Sequence, residues 1–186
     1  PALGPLAVTS LKMGRSPTQT LLDLSSADPG FDYRQVGIID KNGKVGIHTG
    51  DLCRNWAGHE LGKGFAVFGN VLTSSRIVEC MAKTFNDAKG TEFADRLLLT
   101  LESGRDAGGQ ASSDGAHLPE RSAALSIRGV DIVQDIDLRV DMHDDAVKEL
   151  RQVYKNYVPY LEYYALRARD PKNTPAQDVW VKEKIG

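Results

Sequence analysis

The side chains of this chain that can do chemistry gather between two strand-like stretches: His48-Thr49, Cys53, Trp56, His59 and Asn70. An imidazole can move a proton, and a hydroxyl or thiol can attack a carbonyl when a base stands beside it. A side-chain amide can donate to a developing oxyanion. Asn70 follows Gly69 at the end of an apolar stretch, where it reads either as an oxyanion donor or as a turn former. His48 and Thr49 read either as pocket lining or, for His48, as a half-buried strand histidine bonded to backbone. Trp56 and His59 can close a substrate pocket or simply pack a loop. Cys53 has only His59 nearby in sequence as a base, and a free cysteine is usually an inert core residue.

The elements that must position these groups begin with two short apolar strands joined by Asp40-Lys41-Asn42-Gly43. An Asn-Gly pair between apolar stretches favours φ > 0 in a tight turn, so a β-hairpin is expected. In its second strand Val45 and Ile47 alternate with Lys44, Gly46 and His48, which leaves His48 and Thr49 as a polar pair at the strand end. Gly50, Gly58, Gly62 and Gly64 then punctuate an expected loop carrying Cys53, Trp56 and His59, before a strand from Phe65 to Val71. Upstream, Pro5 to Met13 reads as a helix. Ser16-Pro17-Thr18-Gln19 opens a second one with an N-cap, a proline at N1 and a capping-box Gln, and Asp28-Pro29-Gly30 ends it. Ser74 or Ser75 caps a helix to Lys89. A further helix from Glu92 to about Gly104 should bury Phe93, Leu97, Leu98 and Leu101.

After a loop rich in Gly, Ser and Asp, strands are expected over Ser122 to Arg128 and Ile132 to Asp141. In the second, Ile136, Leu138, Val140 and Met142 face one way, and Asp137, Arg139, Asp141 and His143 the other. Those acidic groups and His143 do not converge on a metal, because residues two apart on a strand stand about 6–7 Å from one another. Asp144 to about Arg169 forms the last helix, with Pro159 expected to kink it. It carries Tyr154, Tyr157 and Tyr164 at core or interface spacing. Residues 170–186 read as an extended arm beyond a domain over 1–169.

Arg34-Gln35-Val36-Gly37-Ile38-Ile39-Asp40, His48-Thr49-Gly50, Cys53, Trp56-Ala57-Gly58-His59 and Gly69-Asn70 together resemble the domain-of-unknown-function family 1028, a largely bacterial family with an Ntn-hydrolase-like fold. Arg96-Leu97-Leu98, Leu101-Glu102-Ser103-Gly104, Ala107-Gly108-Gly109, Ser122-Ala123-Ala124-Leu125 and Asp137-Leu138-Arg139-Val140-Asp141 with His143 follow in the same order. The resemblance implies a four-layer αββα sandwich, in which a Thr, Ser or Cys opening the first strand attacks an amide. Asp40 and Ser122 are singled out by the resemblance alone, and both read as structural residues. Two departures stand out. The chain opens at Pro1-Ala2-Leu3-Gly4-Pro5, inside a helix, rather than with that strand, and Gln110 to Pro119 replaces a shorter turn. A tautomerase-like base at Pro1 is disfavoured because a helix, not a strand, follows it.

Composition fits an ordinary soluble domain, 186 residues with 41% hydrophobic and 26% charged, and the order of expected helices and strands fits an α+β protein. A net charge of -2 with scattered Lys and Arg offers nucleic acid no footprint. No run reaches the ~18 apolar residues of a membrane helix. Two cysteines, Cys53 and Cys80, make neither a disulfide framework nor a zinc site, which points to the cytoplasm. Gly108-Gly109 is too short for a phosphate loop. No cofactor or metal is expected.

These readings combine into an α+β Ntn-hydrolase-like sandwich completed by an N-terminal segment or partner chain. The expected activity is cleavage of a small amide, lactam or peptide bond. Asn70 and Thr49 are the catalytic candidates, and His48, Trp56 and His59 the substrate-binding ones. The expected partners are a smaller chain carrying the leading strands and the nucleophile, and further copies meeting through the Tyr154–Tyr164 helix. A non-catalytic assembly protein or ligand-binding module is the alternative.

Overall fold

A computed structural model describes residues 2–54, 56–130 and 135–184. The expectations at Pro1 and at Ile132 lie outside these residues. The chain is α+β and divides into two compact units: residues 1–92 with 99–118, and residues 93–98 with 119–186.

In the first unit, α1 (Leu3–Lys12) and α2 (Pro17–Ala27) precede a 3-10 turn, Phe31–Tyr33. The capping box of α2 forms as its sequence dictates: Ser16 Oγ accepts from the Gln19 N–H, and Gln19 reaches back to the Ser16 N–H. Strands β1 (Gln35–Ile39) and β2 (Val45–Thr49) form the expected hairpin. Its turn is held by Asp40, whose Oδ1 accepts from the N–H groups of Asn42 at 2.8 Å and Lys44 at 2.9 Å. Gly43 takes the positive φ, 76°, without Asn42 joining it. Ala7, Leu24, Phe31 and Ile38 bury one hairpin face beneath α1 and α2, with Leu21 and Val36 at the margin. Gly46 belongs to that face, since a Cβ there would lie 2.9 Å from the Pro17 side chain.

Gly58–Gly62 is not loop but strand β3, antiparallel to β4 (Phe65–Gly69), with His59 opposite Phe68 and Glu60 opposite Val67. Two glycines and few strand formers hide it from a reading by propensity, whereas pairing with β4 supplies its hydrogen bonds. Helix α3 (Arg76–Asp87) packs on this hairpin through Val67, Leu72, Ile77 and Val78. Ser75 precedes α3 but already has helical backbone angles, and its side chain makes no capping bond. The two hairpins meet on their remaining faces. A Cβ at Gly37 would lie 2.6 Å from the Phe68 ring, and one at Gly43 lies 3.7 Å from the Gly64 backbone. The contacts within this unit therefore run helix, hairpin, hairpin, helix.

Helix α4 (Phe93–Asp106) gives residues 93–98 to the second unit and the rest to the first. Leu98 is fully buried, but Phe93, expected inside, is 52% exposed at the helix start. Gly104 lets α4 approach α3, where an added Cβ would meet the Met81 sulfur at 2.6 Å. The loop that follows contains a minimal pair, β5 (Gln110–Ala111) with β6 (His117–Leu118).

In the second unit, β7 (Ala123–Ile127) pairs with β8 (Ile136–Val140), and α5 (Ala146–Arg169) covers them through Val147, Leu150 and Tyr154. Ile136 is buried and Asp137 and Arg139 are exposed, as the period-two pattern requires, but the strand ends before Met142, which is exposed. Arg151 bridges to Asp95 within the same unit. Asp145 caps α5 by accepting from the Lys148 N–H, and the helix continues through Pro159. The tail read as an extended arm holds a short helix, α6 (Gln177–Lys184), whose Trp180 packs against Tyr163.

Two outcomes test this packing. Gly50 follows β2, and a Cβ there would stand 2.1 Å from the Asp32 carbonyl oxygen. Gly50→Ala should therefore lower stability by about 1–3 kcal/mol in denaturant unfolding. At the end of α2, Arg34 Nε and the Gly30 N–H both donate to Asp28, and the Arg34 bond is the larger cause of a carboxyl held below its usual range. A carboxyl pKa depressed by folding stabilises above the unfolded value and loses that effect as pH falls through the folded one. The stability difference between wild type and Asp28→Asn should thus be present at neutral pH and shrink below about pH 4 in thermal melts.

Candidate functional site

Because Gln35 and Thr49 are register partners, as are Gly58 and Gly69, the open ends of both hairpins lie together, away from their turns. Gln35 joins them. Its Nε2 lies 3.0 Å from Thr49 Oγ1, 3.1 Å from the Gly58 carbonyl and 2.9 Å from the Gly69 carbonyl, while its Oε1 accepts from Asn70 Nδ2 at 3.0 Å. Three acceptors on one side and a donor on the other set the orientation of the amide. Its two N–H groups are shared among the three acceptors. Thr49 Oγ1 also lies 2.9 Å from His59 Nδ1. Since the hydroxyl accepts from Gln35, its own proton is available to the imidazole.

Asn70, Thr49 and His59 are thus linked in one chain of hydrogen bonds. His48 is not part of it. Strand alternation turns His48 to the opposite hairpin face, where its ring stacks on Phe31 at a 4.1 Å centroid distance. There Nε2 donates to the Phe31 carbonyl at 3.0 Å. The polar pair expected at the strand end is divided between two faces.

Beside this chain lies an open cleft of about 480 Å³, within the usual range for small-molecule sites. Thr49, Cys53, Trp56 and His59 line it, together with Ser75, which precedes α3, and Glu79 of α3. Trp56 is fixed by its backbone, which exchanges hydrogen bonds with Leu72, and by a ring lying where a Cβ on Gly58 would stand, 2.3 Å away. Asn70 does not line the cleft. Cys53 and Cys80 are both free and partly buried. Among the described residues no three His, Cys, Asp or Glu side chains are grouped to hold a metal ion, and no helix is long and apolar enough to cross a membrane.

Two features were missed by sequence reasoning. Gln35 stood in plain view, but its role depends on a second hairpin that the sequence does not announce; its place at i relative to Gly37 and Ile39 was the available signal. The other is Val71, which takes φ 57° immediately after Asn70. A β-branched residue in the left-handed region is strained by about 1–3 kcal/mol, and such strain gathers at functional sites. The turn conformation expected of Asn70 belongs instead to its neighbour, held by bonds from the Val71 N–H to the Arg54 carbonyl and from the Ala111 N–H to the Val71 carbonyl.

Comparison with known proteins matches the model of a family of unknown function, DUF1028, to residues 1–150. The chain belongs to this family. A crystal structure of a DUF1028 protein from Silicibacter pomeroyi is similar, with 25% identity and a TM-score of 0.72 over 84% of this chain. The present chain covers 66% of that protein's length, a little under two thirds. No curated protein matches it. The DUF1028 assignment covers the whole Gln35–Asn70 region, and so the hydrogen-bonded chain and cleft belong to the family-matched part of the molecule.

Gln35→Leu should destabilise the protein by about 1–3 kcal/mol, because the Gly58 and Gly69 carbonyls lose their side-chain donor. The same substitution frees Thr49 from one side, so the His59 ring resonances should shift in NMR spectra, whereas those of His48 should not.

Proposed function

We propose that the protein is a hydrolase of a small amide, lactam or peptide bond, acting in the cleft beside Thr49 and His59 with an N-terminal Thr, Ser or Cys on a companion chain as the attacking group. The observation that carries this reading is the hydrogen-bonded chain Asn70–Gln35–Thr49–His59 across the open ends of two stacked hairpins. Hydrolysis of an amide requires donors held in place before charge develops on the carbonyl oxygen. Asn70 and Thr49 serve that role at one remove: Asn70, outside the cleft and aimed by the Val71 backbone, holds Gln35, Gln35 holds Thr49, and Thr49 sets the His59 imidazole that faces the substrate carbonyl. Trp56 contacts the rest of the substrate.

Helix, hairpin, hairpin, helix is the contact order that supports an Ntn-like αββα sandwich. Both hairpins are two-stranded, and Ile39, Leu61 and Phe68 are 52%, 53% and 42% exposed. Further strands contributed by the companion would cover such apolar groups and pair the open edges. A reducing compartment such as the cytoplasm suits the free thiols.

The test is an intact mass and N-terminal sequence of everything that co-purifies with the chain, followed by amide-hydrolysis assays. The expected result is a companion that begins with Thr, Ser or Cys, whose replacement by Ala lowers kcat by about a thousandfold or more. A single active or inactive chain, or a companion with an inert first residue, would overturn the two-chain mechanism.

A second reading is favoured by the outer face of α5, where Tyr164 is 43% exposed beside the Tyr157 and Tyr160 rings, with Val158 and Leu166 also exposed. In that reading the helix joins copies of the chain, and Tyr164→Glu should lower the mass seen by light scattering without unfolding the monomer.

A further inference from the structure

The charge and hydrogen-bond polarity of the cleft narrow the class of ligand. Thr49 Oγ1 accepts from Gln35 and lies 2.9 Å from His59 Nδ1, and in the tautomer in which the hydroxyl donates to that nitrogen the neutral imidazole carries its hydrogen on Nε2. That nitrogen has no hydrogen-bond partner recorded among the described residues, and His59 lines the cleft. In that tautomer the ring presents a donor, which calls for a carbonyl or similar acceptor on the ligand. The rest of the wall has the opposite preference. Asp51, Glu60 and Glu79 line the cleft together with Trp56, while no Lys or Arg among the described residues lines it. None of the three carboxylates forms an ion pair among the described residues. Arg54 and Arg76 are adjacent in sequence to lining residues, but they are not lining residues themselves.

We propose that the cleft binds small cationic amides, with the amide carbonyl on His59 Nε2–H and a protonated amine or guanidinium held by Glu60 and Glu79 against the Trp56 ring. The cleft's mixed wall matches the two ends of such a molecule. A cation is attracted by carboxylates and by the face of an indole, and a carbonyl end needs one donor. An anionic amide of equal size would bring its carboxylate against three unpaired carboxylates and no cation. The proposal rests on the cleft being the site assigned under the proposed function, but binding is independent of turnover.

The experiment is isothermal titration calorimetry of the purified full chain, with any companion that co-purifies, against three matched amides: 4-aminobutanamide, butanamide and succinamate. At neutral pH the first is a cation, the second neutral and the third an anion. The expected order is 4-aminobutanamide tighter than butanamide by about tenfold or more, with succinamate weakest. The advantage should shrink as salt rises from about 0.05 to about 0.5 M. Glu60→Gln combined with Glu79→Gln, both exposed positions, should remove the preference and leave the melting temperature near wild type. Equal binding of the three, a preference for succinamate, no binding by any, or a preference that survives the double substitution would overturn the proposal. If 4-aminobutanamide binds with the expected preference and no amide is cleaved, the hydrolase reading fails and this one stands. Cleavage with no charge preference gives the reverse.

Discussion

One side chain, the Gln35 amide, ties the ends of two separate hairpins, and the candidate site depends on it. Backbone hydrogen bonding within each hairpin is complete without it, and neither hairpin alone brings Thr49, His59 and Asn70 into one network. A primary amide suits this position because it donates and accepts at once. It faces two carbonyls and a hydroxyl with its nitrogen, and the Asn70 amide with its oxygen. A carboxylate could not donate to those carbonyls, and an apolar side chain would leave them without this partner.

For that amide to reach across, the hairpins must lie close, and small residues make this possible. Gly37 leaves space for the Phe68 ring, and Gly46 leaves space for Pro17 on the other face of the same hairpin. The β1–β2 hairpin is thus held between a helix on one side and a second hairpin on the other. The second hairpin is held in the same way by α3, through Val67, Ile77 and Val78. Strain appears where the network ends, at Val71, whose left-handed backbone is retained by flanking backbone bonds to Arg54 and Ala111. Packing that supports a strained residue beside a polar network is the arrangement expected when orientation matters more than local stability.

Much of the framework was legible because it is encoded locally. The capping box at Ser16, the stop at Asp28, the Asp40–Gly43 turn and the alternation in Ile136 to Val140 each involve residues close in sequence, and each is present in the structure. The family assignment was legible too, since the quoted runs fall within residues 1–150. Less legible were elements whose partners lie far away. Strand β3 looked like loop because Gly58 and Gly62 weaken it, and only its ladder to β4 makes it a strand. Phe93 looked buried from helical spacing, but at the first position of α4 that spacing does not settle exposure.

The sequence by itself determined where α2 begins, where the first hairpin turns and which residues carry usable chemistry. Only the tertiary structure decided which of them meet. Thr49 and His48 are adjacent in sequence, yet strand pleating sends one toward His59 and the other under Phe31. Thr49, His59 and Asn70 are separated in sequence and become linked because two hairpins stack with their open ends aligned. Local rules act over a few residues of backbone. A site assembled from the ends of two hairpins depends on packing between them, and no short stretch of sequence contains that information.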